Sequence, residues 1–176
     1  GHGVIPKYKA IYLDSLKNNY HIIKTNNLFD NLIKDFNSYK DVKLNLSTKD
    51  KKILRDYQVT GVNWLYNIYK CGFGGILADE MGLGKSIQLI YFIKEVLKEK
   101  PDAKILIIAP TSLVYNWSNE FDKFGSELKY KVFAENKNKR HEELSNLNDI
   151  NILITTYGLI REDKEYYEKI KKEHSY

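Results

Sequence analysis

The residues best suited to chemistry lie between Gly74 and Ser86, where the sequence reads GGILADEMGLGKS. A short apolar run, Gly75–Ala78, precedes a glycine-rich turn, and apolar residues then recur at helical spacing from Ser86 to Leu97. The predicted order is a buried strand, a loop and a helix. This order directs the backbone N–H groups of the loop and the positive end of the helix dipole at one point, where an anion can bind.

Two side chains at the end of this turn suit a nucleotide phosphate. Lys85 supplies a cation that can reach the terminal phosphates, and the Ser86 hydroxyl can bind the Mg²⁺ that accompanies them. The usual pattern, G-x-x-x-x-G-K-[ST], has a glycine where this chain has Asp79, although Gly82 and Gly84 supply flexibility closer to the lysine. The alternative is a glycine-rich turn with an ordinary surface lysine. By itself, the pattern predicts a nucleotide-phosphate site and no more.

The composition is that of a globular chain with an apolar core. The chain has 176 residues, of which 43% are hydrophobic, and these values fit one domain. No apolar run approaches the roughly 18 residues of a membrane span, and there is no signal-peptide pattern, so we expect a cytoplasmic protein with no membrane partner. A single cysteine excludes an internal disulfide framework, and the four histidines have no metal-ligand spacing, so we expect no zinc. The net charge of +5 permits a polyanionic partner without requiring one.

Three segments differ in character. Residues 1–3, Gly-His-Gly, are interpreted as a remnant of an expression tag. Residues 4–46 contain no glycine and many Lys, Asn and Tyr residues, and we interpret them as a helical extension. Residues 47–176 hold the glycine-rich turn and the three predicted strands that follow it.

Helices are predicted across much of the second segment and the start of the third. One spans Lys7–Lys17, a second begins at a cap formed by Thr25 or Asn26, and a long third helix runs from the Ser47 cap to Gly72. The apolar positions are Leu28, Phe29, Leu32, Ile33 and Phe36 in the second helix, and Leu54, Tyr57, Gly61, Val62, Leu65 and Ile68 in the third.

Extended segments are predicted at four further places. Val42–Leu46 alternates as a short extended piece, and Lys104–Ala109, Tyr130–Phe133 and Asn151–Thr156 read as strands, the first and last of these buried. Because a helix lies between the Gly75–Ala78 strand and the next one, we expect those two strands to be parallel. The polar residues from Glu135 to Arg140 are predicted to form a solvated loop.

Small hydroxyl residues follow two of these strands. Thr111 and Ser112 come after Ala109, and Thr156 ends the last strand. Each can cap the helix that follows, or can present OH and N–H groups to a phosphate of a nucleic-acid backbone. Since ligands gather at the carboxyl ends of parallel strands, we expect the glycine-rich loop, Thr111 and Thr156 to lie on one edge of the sheet.

Gln58 lies in the stretch LRDYQVTGVNWL on the predicted long helix. Its amide carries both a donor and an acceptor, so it can pair with N6 and N7 of adenine. The alternative is a polar residue on a helix surface.

With these stretches in place, the sequence resembles the N-terminal part of a Swi/Snf-type DNA translocase ATPase, within the superfamily 2 helicases. LRDYQVTGVNWL is similar to the Q motif, ILADEMGLGKSIQ to motif I, IIAPTSLVYNWSNEFDKF to motif Ia and ILITTYGLIRED to motif Ib, in the family's order. In that family Asp79 is the expected residue, and Ser86 stands where threonine is commoner. PKYKAIYLDSL, with the helical stretch after it, resembles the extension ahead of the motor in bacterial members.

The resemblance implies a fold and a site. The fold is α/β, a partial RecA-like parallel sheet with flanking helices, preceded by a small helical extension. Lys85 would contact the β and γ phosphates of ATP, Ser86 would hold Mg²⁺, and Gln58 would read adenine. The implied ATP-binding set is Arg55, Tyr57, Gln58, Asp79, Met81, Gly82, Leu83, Gly84, Lys85, Ser86 and Ile87, and the implied contacts to double-stranded DNA are Thr111, Ser112 and Thr156.

The resemblance also implies sequence motifs and a second lobe that are absent from this sequence. The family's acidic box, a DE pair on the next strand, does not follow Asp163, so we expect a piece of the first lobe with little ATP hydrolysis of its own. The expected partners are double-stranded DNA and the second RecA-like lobe of the parent chain. A gap in the sheet would leave exposed strand edges, which favour self-association.

The expected parent is a bacterial, DNA-associated translocase that uses ATP to remodel protein–DNA complexes. A non-catalytic nucleotide- or DNA-binding scaffold is the alternative. An unrelated P-loop kinase is disfavoured by the stretches similar to the Q motif and motif Ib.

Overall fold

A computed structural model describes residues 4, 6–17, 24–39, 42–80 and 82–174 of the chain. The predicted tag remnant at residues 1–3 and the site residue Met81 lie outside the described residues. The chain divides into two compact units, Gly1–Leu83 and Gly84–Tyr176, and each is described by itself.

The described part of the first unit is helical. After a 3₁₀ turn at Lys7–Lys9, its helices are α1 (Ala10–Lys17), α2 (Asn27–Tyr39), α3 (Thr48–Ile53) and α4 (Asp56–Lys70). Asn26 caps α2, because its Oδ1 accepts the N–H of Phe29 at 2.9 Å. The predicted cap at Ser47 is confirmed, since its Oγ accepts the N–H of Asp50 at 3.1 Å. Gly72, with a φ of +68°, follows the end of α4.

The prediction of one continuous helix from Ser47 to Gly72 is wrong. Leu54 and Arg55 have extended ψ values of 138° and 157°, and they separate α3 from α4. The Gln58 Oε1 accepts the N–H of Arg55 at 3.0 Å, so the third residue of α4 satisfies the backbone N–H of the residue before the helix, and α4 begins as a new helix. Among the predicted apolar positions, Leu54 and Val62 are buried, Phe29, Leu32, Ile33, Phe36, Gly61, Leu65 and Ile68 are half-buried, and Leu28 and Tyr57 are exposed.

The segment Val42–Leu46 is extended, as predicted, and side chains of α4 bind its backbone. The Asn63 Oδ1 accepts the N–H of Leu44 at 2.7 Å, and the Asn67 Nδ2 donates to the carbonyl of Val42 at 3.2 Å. The two asparagines lie one helical turn apart and hold the segment against the helix.

The prediction of a buried strand at Gly75–Ala78 is wrong. These residues have no strand pairing among the described residues, and Ile76 is 86% exposed. A strand needs a neighbour to accept and donate its backbone hydrogen bonds. The segment instead lies so close to α4 that a Cβ atom on Gly75 would be 2.3 Å from Cδ1 of Ile68 and 2.7 Å from Cη2 of Trp64.

The second unit contains a parallel sheet with helices on both faces. Its elements are α5 (Lys85–Glu99), β1 (Ile105–Ala109), a 3₁₀ turn (Thr111–Leu113), α6 (Val114–Phe124), β2 (Tyr130–Val132), α7 (Lys137–Leu144), β3 (Ile152–Thr156), α8 (Tyr157–Glu162) and α9 (Lys164–Glu173). The strand order is β1-β3-β2, and both pairings are parallel. The three strands predicted after the glycine-rich loop are confirmed.

Strand β3 carries the core because it lies between the other two strands and all five of its residues are buried. On one face, Ile152 and Ile154 pack with residues of β1, α5 and α6, among them Ile90 and Phe121. On the other face, Leu153 packs with Phe133 and Leu144, and side chains of α9 cover this cluster. In β1, Ile107 and Ala109 are buried, while Leu106 and Ile108 on the opposite face are 40% and 37% exposed.

The carboxyl ends of β1 and β3 meet at the same edge of the sheet. Ala109 is paired with Thr156 in the register, so the 3₁₀ turn after β1 and the helix α8 after β3 start side by side. This confirms the expected juxtaposition of the segments that contain Thr111 and Thr156.

The prediction of a solvated loop from Glu135 to Arg140 is wrong. The Asn136 Oδ1 accepts the N–H of Lys139 at 3.1 Å and thereby caps α7. This helix turns Arg140 inwards, where only 3% of the residue is exposed.

Arg140 pairs with a carboxylate that has no exposed surface. Its Nε donates to Oδ2 of Asp163 at 2.7 Å and its Nη2 donates to Oδ1 at 3.1 Å, which gives a two-pronged pair. The same Nη2 donates to Glu162 at 2.9 Å, and Nη1 donates to the carbonyl of Glu135 at 2.7 Å. The Nε2 of His141 lies 2.8 Å from Oδ1 of Asp163.

Burial on its own would raise the pKa of Asp163. Hydrogen bonds from Arg140 and His141, together with their charges, outweigh that effect and leave the pKa of Asp163 below its ordinary value. The carboxylate is therefore the stable form of Asp163 in the folded chain.

Among the described residues, no helix combines the length and the apolar character that a membrane crossing requires.

We predict that Arg140→Met lowers the free energy of unfolding by about 3–5 kcal/mol, because it leaves the buried Asp163 carboxylate without its main partner. Urea unfolding followed by circular dichroism would measure the change. Lys139→Met is the matched control, since Lys139 is half-exposed and pairs with the exposed Glu135, and it should change the value by less than about 0.5 kcal/mol. Equal effects of the two substitutions would contradict the assigned role of the pair.

We also predict that the stabilisation by Asp163 depends on pH. Because its folded-state pKa is lowered, its contribution is complete above the unfolded-state pKa of about 3.9 and disappears as the pH falls through the folded-state value. The difference in unfolding free energy between the wild type and Asp163→Asn should therefore be constant near neutrality and shrink below about pH 4. Urea unfolding at several pH values would test this, with the 85% exposed side chain of Asp149, replaced by Asn, as the control.

Candidate nucleotide and nucleic-acid sites

The predicted phosphate-binding residues of the second unit lie at the start of a long, well-buried helix. Gly84 caps α5 in the left-handed conformation, with φ 78° and ψ 49°, and Lys85 and Ser86 are the first two residues of the helix. The N–H groups in the first turn of a helix have no acceptor within that helix, so together with the helix dipole they can bind an anion. The Lys85 and Ser86 side chains are half-buried.

Burial fixes the position of this helix start. Ile90, Tyr91 and Ile93 are at most 2% exposed, so α5 is anchored in the core along its length. The side chain of Gln88 has no exposed surface, and its Nε2 lies 3.4 Å from the Gly84 carbonyl. Ile87 is also buried, at 6% exposure.

In the first unit, two side chains bind the end of the glycine-rich loop. The Oη of Tyr57 donates to the carbonyl of Leu83 at 3.0 Å, and the Nε2 of Gln58 donates to the same carbonyl at 3.1 Å. Gly82, immediately before, has a φ of +85°. The stretch similar to the Q motif is therefore hydrogen-bonded to the backbone of the glycine-rich loop in the stretch similar to motif I.

The Gln58 amide is engaged on both sides by the backbone. Its oxygen accepts from Arg55 and its nitrogen donates to Leu83, and the residue is 7% exposed. An amide group offers two donors and two lone pairs, so one of each remains for a base. The pairing of Gln58 with adenine stays a prediction, and the two backbone bonds are a role that the sequence did not indicate.

The remaining predicted ATP-binding residues all belong to the first unit. Arg55 is exposed and Asp79 is half-buried, while Met81 lies outside the described residues. Their contacts with a nucleotide stay predictions.

The three predicted DNA-contact residues have different surroundings. Thr111 and Ser112 are exposed at the start of the 3₁₀ turn after β1. Thr156 is 5% exposed, and its Oγ1 accepts the N–H of Leu159 at 3.2 Å, so it caps α8. For Thr156, the capping alternative describes the observed geometry.

Two exposed residues of α8 were not singled out by the sequence reasoning. Tyr157 is 60% exposed, and Arg161, four residues later and thus on the same side of the helix, is exposed as well. The sequence does carry a signal for them. The tyrosine directly follows a strand that ends in two threonines, and the arginine lies one helical turn later.

Comparison with known proteins identifies the family of this chain. A family model described as the SNF2-related domain matches residues 57–176. The chain belongs to the SNF2-related domain family. The matched region begins beside Gln58 and includes the glycine-rich loop and the whole sheet.

Several curated proteins are similar to this SNF2-related domain. The "Uncharacterized ATP-dependent helicase" of Mycoplasma pneumoniae is 38% identical over 175 residues, which cover 96% of this chain and 16% of that protein. "ATP-dependent helicase fft3" of Schizosaccharomyces pombe is 41% identical over 63% of this chain and 12% of its own length. "Chromatin-remodeling ATPase INO80" of Aspergillus oryzae is 34% identical over 76% of this chain and 10% of its own length. The chain thus spans at most about a sixth of these relatives.

A solved structure supports the fold. The Sulfolobus solfataricus SWI2/SNF2 ATPase core in complex with dsDNA has a TM-score of 0.57 and 36% identity, and the match covers 71% of this chain and 24% of that one. The SNF2-related domain therefore has the expected RecA-like α/β fold and corresponds to the N-terminal part of a first lobe.

We predict that Gly84→Ala lowers the free energy of unfolding by about 1–2 kcal/mol, because a Cβ atom is strained in the left-handed conformation. Gly74→Ala is the matched control, since a Cβ atom there would meet nothing within 4 Å and φ is not positive. Urea unfolding of both variants would measure the difference. If the two substitutions cost the same, the left-handed cap of α5 is not required.

Proposed function

We propose that this chain is part of an ATP-driven translocase on double-stranded DNA. The observation that carries the proposal is the start of α5, where a left-handed glycine precedes Lys85 and Ser86 on a buried helix in a chain of the SNF2-related family. The names of the relatives, ATP-dependent helicase and chromatin-remodeling ATPase, support the same chemistry.

In this proposal the first turn of α5 holds the phosphates of ATP. The backbone N–H groups and the Lys85 ammonium offset the negative charge of the β and γ phosphates. The missing Cβ atom of Gly84 leaves room for a phosphate oxygen to approach the backbone. Gln58 reads the adenine edge, with Arg55 and Tyr57 near the base; this part rests on the similarity to the Q motif.

The residues at the helix start also fit a magnesium ion held together with a nucleotide. A hard cation of this kind is usually bound by one or two protein oxygens plus phosphate oxygens and water, and the half-buried Ser86 hydroxyl is such an oxygen. When bound, the ion would neutralise charge on the phosphates during hydrolysis.

DNA would bind at the carboxyl edge of the sheet. Thr111 and Ser112 present hydroxyl and N–H groups there, and α8 adds the phenol of Tyr157 and the guanidinium of Arg161. The Sulfolobus solfataricus relative was solved in complex with dsDNA, which supports duplex DNA as the ligand. Because Thr156 caps α8, its part in this proposal is to set the start of that helix.

The activity belongs to the whole protein, of which we propose that residues 4–46 form an extension and residues 47–176 part of the first lobe. A second lobe of the same protein would complete the ATP site. The chain by itself would hydrolyse little ATP, because no acidic pair follows Asp163. We place the protein with DNA in a bacterial cytoplasm, where it would remodel protein–DNA complexes.

The test uses the full-length protein. Lys85→Ala should lower DNA-stimulated ATP hydrolysis at least ~100-fold, since it removes the cation that faces the transferred phosphate. Lys172→Ala removes an exposed lysine of α9 and should leave the rate within about twofold. A coupled assay of phosphate release with and without duplex DNA would measure both. Full DNA-stimulated activity in Lys85→Ala would refute the assigned role, and a wild-type protein that binds ATP without hydrolysing it would favour a scaffold.

A further inference from the structure

Helix α8 carries half of the proposed DNA surface but is too short to hold its own position. It spans six residues, Tyr157–Glu162, and isolated helices of this length are unstable in water. The orientation of Tyr157 and Arg161 therefore depends on what fixes the two ends of α8.

The two ends are fixed by different means. At the start, the Oγ1 of Thr156 caps the helix directly after the central strand. At the end, Asp163 donates its N–H to the carbonyl of Leu159 at 2.9 Å, and its own carbonyl accepts the N–H of Tyr166 at 3.0 Å. Asp163 is thus the junction at which α8 stops and α9 begins.

The Asp163 side chain secures this junction to another part of the unit. Arg140 reaches it from α7 with two hydrogen bonds, from Nε and Nη2, and the same Nη2 also donates to Glu162, the last residue of α8. A fourth bond, to the Glu135 carbonyl, fixes the guanidinium to the segment after β2. His141 adds a contact to Asp163 and stacks on Tyr166 with 4.3 Å between ring centroids.

We propose that Arg140 is a positioning residue for DNA binding. By holding Asp163 and Glu162, it sets the angle at which α8 leaves β3 and so keeps Tyr157 and Arg161 in line with Thr111 and Ser112. Arg140 itself is 3% exposed, so in this proposal it acts through α8 and not through a contact of its own with DNA. This inference rests on the proposed function, because it assumes that the carboxyl edge of the sheet binds duplex DNA.

Lysine cannot replace Arg140 in this role. Its ammonium keeps the charge but is a point donor, whereas the planar guanidinium reaches Asp163, Glu162 and a carbonyl in fixed directions. Arg140→Lys therefore preserves the net charge of the protein and removes the directed hydrogen bonds of the guanidinium. This variant is informative because it separates the effect of those bonds from the effect of charge.

The experiment measures ATP hydrolysis by the full-length protein as duplex DNA is titrated. Arg140→Lys should raise the DNA concentration for half-maximal stimulation roughly tenfold, since displacements near 1 Å cost binding contacts of this size. The KM for ATP should change less than about twofold, because α5 is a separate element. Lys139→Gln, on the exposed side of the same helix, removes a charge and should shift the DNA dependence less than about twofold.

The DNA concentration at half-maximal stimulation does not depend on how many molecules are folded, whereas the maximal rate does. A purely structural role for Arg140 would lower the maximal rate and leave the half-maximal DNA concentration unchanged, which would overturn the proposal. A larger shift in Lys139→Gln than in Arg140→Lys would also overturn it, because charge alone would then explain DNA binding.

A milder variant covers the case in which Arg140→Lys does not fold. His141→Gln removes the stacked ring and alters a more accessible contact to Asp163, since the His141 side chain is 23% exposed. It should shift the half-maximal DNA concentration in the same direction by about two- to threefold. If this variant folds and shows no shift, the proposal is overturned.

The wild type distinguishes failure of the proposed function from failure of this inference. A wild-type protein whose ATP hydrolysis is not stimulated by DNA would overturn both. A stimulated wild type, together with variants whose half-maximal DNA concentration is unchanged, would overturn only the role of Arg140.

Discussion

A carboxylate without any exposed surface can stay charged only if the protein supplies its hydrogen bonds, and Asp163 depends on Arg140 and His141 for them. Because both partners lie on α7, this requirement connects the segment between β2 and β3 to the junction of α8 and α9. Removing one partner of such a pair costs far more than a surface ion pair contributes. The pair therefore gives the carboxyl edge of the sheet a defined geometry, since the helix that follows β3 ends at this carboxylate.

The start of α5 has to meet the requirement of the phosphate site that we propose there. An anion site made from a helix start needs a backbone that turns sharply into the helix and a helix that does not move. Gly84 provides the turn with its left-handed conformation, and the buried residues of α5 hold the helix in the core. In the first unit, the Leu83 carbonyl accepts two hydrogen bonds, from Tyr57 and Gln58, which fix the preceding part of the loop.

Much of the fold could be predicted from the sequence, because buried strands such as Ile152–Thr156 leave an apolar run that ends in a recognisable turn. The strand expected at Gly75–Ala78 has a similar run but no neighbour among the residues that the structure describes, and pairing is a property of the sheet rather than of the segment. The break at Leu54 and Arg55 was missed because it depends on one amide, that of Gln58.

Arg140 could not be found by composition, since it stands in a polar stretch that looks solvated. Its local signals are the Asn136 cap and Leu144, which lies one turn away and is buried on the same side. The carboxylate that draws Arg140 inwards lies 23 residues further along the chain, so the pair becomes visible only when the fold brings α7 beside the end of α8.

The close approach of Gly75 to α4 limits how these two segments can change during evolution. Any larger side chain at that position would overlap Ile68 and Trp64, so it could be accommodated only together with a smaller or reoriented residue on the helix. Positions 64, 68 and 75 should therefore vary together across homologous sequences. Where position 64 is a tryptophan, position 75 should stay a glycine, because the missing side chain leaves space for the indole ring.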